Sequence, residues 1–179
     1  GQAPSELVVD AILIGAGRAP NVEGLGLEQV GVDFDRRLGI RVDDFLRTTN
    51  PKIFAVGDVC MAWKFTHAAD AAAKIAVQNA LFAVGPFGRK KLSDLVMPWC
   101  TYTEPELAHV GLSERDAAEK KIAIDSYRVE LAENNRAVVE GDDAGFVKIH
   151  VRRGSDRIVG ATIVAAHAGE LISQLTLAI

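Results

Sequence analysis

The chain has 179 residues, 49% of them hydrophobic and 25% charged, with a formal net charge of −4. This is the profile of an ordinary globular protein, long enough for one domain or two small ones, with acidic and basic residues interspersed. It gives no electrostatic footprint for nucleic acid or an anionic membrane, no window long enough for a transmembrane helix, and no stretch that reads as a signal peptide. Cys60 and Cys100 fit neither zinc-ligand spacing nor a redox pair, so they read as small thiols compatible with a reducing cytoplasm. The chain opens Gly1-Gln2-Ala3-Pro4 without Met and closes on apolar Leu177-Ala178-Ile179 with no stop signal, the pattern of a fragment cut at both ends.

Leu7 to Ile14 is an apolar run that predicts a buried strand, followed by Gly15-Ala16-Gly17-Arg18-Ala19-Pro20-Asn21. The Gly-Ala-Gly is a poor phosphate loop: Pro20-Asn21 stand where a helix should begin, and the third glycine is missing. Leu25 to Val32 predicts a helical turn ended by Gly31, and Arg37 to Asp43 a hairpin-like excursion.

Thr48-Thr49-Asn50-Pro51 is a polar turn, since Pro51 pushes Asn50 out of the helical region. Ile53-Phe54-Ala55-Val56 is too short for a helix and predicts a strand covered on both faces. Gly57 follows, where the missing Cβ admits a ligand to the backbone, and Asp58 then sets an acceptor-only carboxylate at the strand end. Such a group suits hydroxyls. Ala68 to Val84 is Ala-rich with helical spacing and is stopped by Gly85-Pro86. Its amino end offers unpaired N–H groups and a partial positive charge. His67, at that end, reads as a cap or packed ring rather than a general base. Arg89-Lys90-Lys91 marks a solvated connection, and a second unit starts near residue 97.

In that unit Pro98 to Thr103 is extended, Leu107 to Gly111 is a strand, and Ser113 caps a helix through Lys121 with Asp116 in the capping-box position. Ile124 to Glu130, Phe146 to Val151 and Ile158 to Val164 read as strands, and a last helix starts near Ala168. The pattern is α+β, with helices on one face of an antiparallel sheet. His109, His150 and His167 read as packed or exposed side chains.

Three motifs carry a resemblance. Thr-x-x-Pro-x-Ile-Phe-Ala-x-Gly-Asp at 48–58, Asp-x-x-Leu…Gly-Arg-x-Pro-Asn at 10–21, and Tyr-Thr-x-Pro-Glu-x-Ala-x-Val-Gly-Leu with Gly-Ala-x-Ile-Val…Ala-Gly-Glu-Leu-Ile from 102 onward resemble, in family order, the FAD-dependent pyridine nucleotide-disulfide oxidoreductases. The implied architecture is α/β plus α+β. Residues 1–94 would be the end of an NAD(P)-binding domain and the returning part of an FAD-binding domain, and 95–179 an antiparallel-sheet interface (dimerisation) domain. The resemblance implies FAD and NAD(P) as cofactors, with Asp58 on the ribityl chain of FAD and Gly57 beside it. It also puts the backbone of Lys64, Phe65, Thr66 and His67 along the flavin, Gly17 by the nicotinamide nucleotide, and a homodimer formed through the second unit. Arg18 and Asn21 read as turn-holding residues. Electrons would pass from NAD(P)H through FAD to a small disulfide or to Hg(II). Phe-Thr-His-Ala-Ala-Asp at 65–70 and Gln-Asn-Ala-Leu-Phe at 78–82 look closer to mercuric reductases than to lipoamide dehydrogenases, with dihydrolipoamide dehydrogenase, or an isolated dimerisation module, as alternatives. No catalytic or metal-binding residue is expected here, and the polypeptide alone is expected to be inactive.

Overall fold

The computed structural model describes residues 6–179, which form two compact units, one ending at Asp94 and one running Leu95–Ile179. The first unit is mostly irregular. Its hairpin pairs β1 (Phe34–Asp35) with β2 (Gly39–Ile40), and the Asp35 carboxylate tightens the turn by accepting the N–H groups of Arg37 (2.7 Å) and Leu38 (2.8 Å). Val22, Leu27, Val32, Ile40 and Ala55 form its core, with Phe34, Ile53 and Val59 packed against them. Gly39 is required there: its φ is +95°, and a Cβ would stand 2.0 Å from the Val59 carbonyl oxygen.

Two expected strands are not formed. Leu7 to Ile14 carries no strand, and its side chains face solvent, Leu13 at 98% exposure. Ile53 to Val56 makes a single isolated bridge, Phe54 to Arg47, and is not covered on both faces. Leu7 to Ile14 has no strand beside it among the described residues, whereas residues 53–55 are tied to 46–48 by two main-chain bonds, Thr48 N–H to the Ile53 carbonyl (3.0 Å) and Ala55 N–H to the Leu46 carbonyl (3.2 Å), too few to build a ladder.

What holds the 48–53 segment is polar. The Thr48 hydroxyl donates to the carbonyls of Asn50 and Ile53, both at 2.9 Å. Thr49 donates to the Gly31 carbonyl at 2.9 Å and accepts from the Asp33 N–H, while Asn50 Nδ2 donates to the Val30 carbonyl at 2.7 Å. The turn is thus stapled to the one at Leu27–Val32, where the Val32 N–H closes on the Leu27 carbonyl and Gly31 is left-handed at φ +69°. The predicted helix runs as α1 (Thr66–Val77), widening into a π-helical turn over Gln78–Phe82.

The second unit is a five-stranded antiparallel sheet in the order β3-β4-β7-β6-β5. The strands are β3 (Trp99–Thr101), β4 (Glu106–Gly111), β5 (Ile124–Glu130), β6 (Phe146–Arg152) and β7 (Ile158–Ala165). Ser113 caps α2 (Glu114–Glu119) in a full capping box with Asp116, as its spacing predicts. A further helix, α3 (Asn135–Glu140), which no sequence pattern above predicts, is capped by the Asn134 side chain and closed by left-handed Gly141.

The helices do not share one face. Ala108, Val110, Ala161 and Ile163 pack against Ala168 and Ile172 of α4 (Ala168–Ala178). Glu114 of α2 instead reaches Lys148 Nζ at 3.2 Å. Lys148 alternates along β6 with Val147 and Ile149, which join the α4-side core, so it points to the opposite face. α4 and α2 therefore lie on opposite faces of the sheet.

Candidate functional site

The candidate residues of the first unit converge around a turn. Gly57, at φ +75°, opens a 3-10 turn through Val59, and its carbonyl accepts the N–H groups of Cys60 (3.1 Å) and Met61 (2.9 Å). Gly57 is buried, and a Cβ there would come 3.1 Å from that of Ala69, so α1 is what approaches this glycine closely. Asp58 points outward, its side chain 47% exposed, with Oδ2 3.3 Å from Arg18 Nη1.

Arg18 also donates to the Lys64 carbonyl at 3.0 Å. Lys64 in turn directs its ammonium at the carbonyls of Asp58 (2.8 Å) and Met61 (3.2 Å). One guanidinium thus pins the Gly15–Pro20 segment to both ends of the 58–64 loop. Arg18 was read as holding its own turn; it holds a loop 40 residues away, and no local sequence signal marks that partner. Gly17 lies next to it, at φ +103° with open space where a Cβ would be.

Phe65, with extended backbone, leads into α1 without a side-chain cap, and its ring stacks on His67 with centroids 5.4 Å apart and planes 4° from parallel. An uncapped helix start leaves main-chain N–H groups suited to an acceptor, and the macrodipole favours negative charge there. The carboxylate, the neighbouring guanidinium and this helix end all lie at solvent-open positions of one loop cluster. The set has an acceptor for hydroxyls, and a cation and main-chain donors for anionic or carbonyl groups. It has no evident nucleophile. Burial pushes the Cys60 thiol up to about 11 against the opposing pull of Lys64, so it is not a thiolate near neutrality. Among the described residues no cluster of three or more His, Cys, Asp or Glu could hold a metal ion, and no helix is long and apolar enough to cross a membrane.

The second unit leaves several large apolar side chains exposed: Tyr127 and Val129 on β5, Val139 on α3, and Leu171 and Leu177 on α4. By pairing register, Tyr127 and Val129 lie on the same sheet face as Ile149 and Val147, the face that carries α4.

Comparison with known proteins matches both units. Residues 1–73 fit the model of the pyridine nucleotide-disulphide oxidoreductases, and residues 97–179 that of the dimerisation domain of the same enzymes. The chain is 35% identical over its whole length to a dihydrolipoyl dehydrogenase of Thermus scotoductus, and 39% identical over 95% of it to one of Staphylococcus aureus. These alignments span 38% and 35% of the two relatives, so the chain corresponds to little more than a third of their length. Among solved structures it is similar to the HOCl-induced flavoprotein disulfide reductase RclA of Escherichia coli, with a TM-score of 0.83 and 29% identity over 97% of this chain and 39% of that one. It is also similar to LpdA of Mycobacterium tuberculosis, with a TM-score of 0.80 and 31% identity over 89% of this chain and 34% of that one. With two models from one family matched in order, one to each unit, the chain belongs to the pyridine nucleotide-disulfide oxidoreductases.

Proposed function

We propose that this chain is the flavin-site-closing and subunit-pairing part of an NAD(P)H-dependent flavoprotein disulfide reductase of the dihydrolipoyl dehydrogenase kind. FAD and NAD(P)H are the cofactors of the family, and its relatives are oxidoreductases. The observation that carries the reading is the outward-facing Asp58 carboxylate, set beside Arg18 and the uncapped start of α1. Asp58 would accept from the hydroxyls of the FAD polyol, each charge-assisted bond contributing about 1.5–3 kcal/mol. Thr66 and His67 would lie along the flavin largely through their backbone, and Phe65 would flank it. Lys64 would contribute through its backbone, because its ammonium is already committed to two carbonyls. Gly17 would border the nicotinamide nucleotide. When bound, FAD supplies the hydride acceptance and electron transfer; these residues orient it.

A disulfide is favoured over Hg(II) as final electron acceptor. The relatives carry the names dihydrolipoyl dehydrogenase and disulfide reductase, and the preference for mercury drawn from residues 65–70 gives way to them. Residues 95–179 would form the interface domain and associate with a second copy through exposed apolar side chains such as Tyr127 and Val129. The two thiols are unpaired, which goes with a reducing cytoplasm. The chain by itself carries no redox Cys pair and would reduce no disulfide.

Titrating the purified chain with FAD tests the reading. The flavin absorption bands should shift, and Asp58→Ala should abolish or strongly weaken the shift. An unperturbed spectrum with the unaltered chain would leave a bare association module as the better description.

A further inference from the structure

After α1 and its π-helical turn, the chain of the first unit forms a small hairpin that holds apolar side chains out in water. Val84 and Phe87 exchange both main-chain bonds, Val84 N–H to the Phe87 carbonyl at 3.0 Å and Phe87 N–H to the Val84 carbonyl at 3.1 Å. Gly85-Pro86 makes the two-residue turn between them, with Gly85 at φ +60°. A pair bonded in this way sets both side chains on one face of the hairpin. Val84 is 78% exposed and Phe87 79%, and Leu81 and Phe82, at the end of the π-helical turn, are exposed as well. Clusters of exposed apolar groups of this kind mark contact surfaces.

The display is fixed at its base. Gln78 Nε2 donates to the Gly88 carbonyl at 3.1 Å. Asn79 holds Lys90 through both of its main-chain groups, donating from Nδ2 to the carbonyl and accepting the N–H at Oδ1, each at 2.8 Å. The same amide reaches the Phe45 carbonyl at 3.2 Å. At the tip, a Cβ added to Gly85 would meet open space, so the hairpin projects. Cations follow directly. Arg89, Lys90 and Lys91 are all exposed, with the Arg89 guanidinium 5.6 Å from the Phe45 ring. Asp44, the carboxylate that Lys91 acts on, is already bonded to the Ser93 N–H (2.9 Å) and hydroxyl (2.7 Å).

We infer that the Val84–Phe87 hairpin and the Arg89–Lys91 run form a contact site for an anionic lipid surface, the apolar tip entering the headgroup boundary and the cations meeting the phosphates. A net charge of −4 gives the chain as a whole no attraction to such a surface, so the attraction is local to this run. Neither part suffices alone: stable anchoring takes an apolar insertion and a basic patch together, and here they adjoin. The shape favours lipid over a second copy of the chain. A projecting apolar tip needs a hollow or a deformable partner, and two concavities of the first unit are lined by charged side chains, Arg41, Asp43 and Arg47 in one and Glu23 and Arg36 in the other. The inference goes beyond the flavin reading and does not rest on it.

Flotation of the whole chain with phosphatidylcholine vesicles, pure or mixed with an equal amount of phosphatidylglycerol, is the test. The chain should rise with the mixed vesicles and stay behind with the pure ones, and added salt should weaken the binding. Lys90→Gln combined with Lys91→Gln should weaken it by up to roughly 25-fold, at about fivefold for each cation near an anionic surface. Phe82→Ser combined with Phe87→Ser should abolish it; both rings are exposed, and circular dichroism checks that the fold is kept. An unaltered chain that stays behind with the mixed vesicles overturns the proposal, whatever the variants do. Equal flotation of the doubly serine-substituted chain overturns it too. So does a sedimentation result in which those two substitutions turn an oligomer into a monomer while the unaltered chain ignores vesicles, for the tip would then be a protein contact.

Discussion

Glu106 Oε2 accepts the main-chain N–H of Gly169 at 2.9 Å, so a side chain on β4 caps the start of α4, 63 residues later. The helix has no cap of its own: His167 precedes it in a left-handed conformation and makes no side-chain cap bond. Glu106 therefore supplies both an acceptor for an orphan N–H and a negative charge at the positive end of the helix. Since α4 covers Ala108, Val110 and Ile163, the bond anchors the lid of this unit's core. Glu106→Ala should cost about 1–3 kcal/mol by stranding that N–H, and Glu106→Gln, which keeps an oxygen but loses the charge, about 0.3–1 kcal/mol. Urea unfolding of the three proteins gives the order. Equal stability of Glu106→Ala and the unaltered chain would show that the cap contributes nothing.

Gly160 on β7 has no room for even a methyl group. A Cβ there would fall 1.9 Å from the Leu112 carbonyl oxygen, on the segment that leaves β4 and donates its N–H to the Val159 carbonyl at 2.8 Å. The obstruction is backbone, which cannot swing aside as a side chain would. Gly160→Ala should therefore cost at least the upper end of the usual overpacking range of about 1–3 kcal/mol. Thermal denaturation should show a marked fall in midpoint, and an unchanged midpoint would mean that β7 and the Leu112 segment separate without cost.

Features that depend on spacing along the chain were legible in the sequence. The Ser113-x-x-Asp116 box sits where it was expected, and β5, β6 and β7 follow from alternation between turn residues. The helix α3 carried an equally local signal, Asn134 before it and Gly141 after it, and was missed because its short apolar content gave no periodicity. Leu7 to Ile14 fails differently. An apolar run reports a preference for burial but not a neighbour, and without one the segment stays exposed. The site shows the same limit: Asp58 stood out locally at its strand end and Lys64 only through the family resemblance, while the Arg18 guanidinium that reaches both comes from 40 residues before Asp58. The face chosen by α2 was also hidden, because it rests on the pairing of Glu114 with Lys148 across 34 residues.

Asn50 belongs to the polar turn that Pro51 dictates, but its amide does more. Nδ2 donates to the Val30 carbonyl at 2.7 Å, and Oδ1 accepts the Lys52 N–H at 3.0 Å, so one side chain shapes its own turn and fastens it to the preceding one. Asn50→Asp separates the two roles. It keeps the local acceptor but sets an anion against the Val30 carbonyl, and it should be at least as damaging as Asn50→Ala, which should cost about 1–2 kcal/mol. If instead the aspartate variant matches the unaltered chain in urea unfolding, the tie to Val30 is dispensable and only the turn matters.

Cys60 provides a chemical readout of how well the loop around the candidate site is packed. Its Sγ lies 3.7 Å from the Gly57 carbonyl, and burial raises the thiol from the usual 9.0 to about 11, with Lys64 pulling weakly the other way. At pH 8 the native thiolate fraction is then about 0.1%, roughly a hundredfold below that of an unperturbed thiol, so iodoacetamide should modify Cys60 about that much more slowly in the native chain than in urea. Cys100 should also be slowed, its thiol raised by burial and by Glu106. The sign for stability follows from the same shift. The unfolded chain releases the Cys60 proton near pH 9 and the folded chain near pH 11, so the contribution is complete below pH 9 and fades as pH rises between the two. Mass spectrometry of alkylated peptides distinguishes the two thiols. Native labelling of Cys60 at the denatured rate would mean that the Gly57–Lys64 loop opens freely, and a loop that opens freely could not hold the Asp58 carboxylate in place for a cofactor.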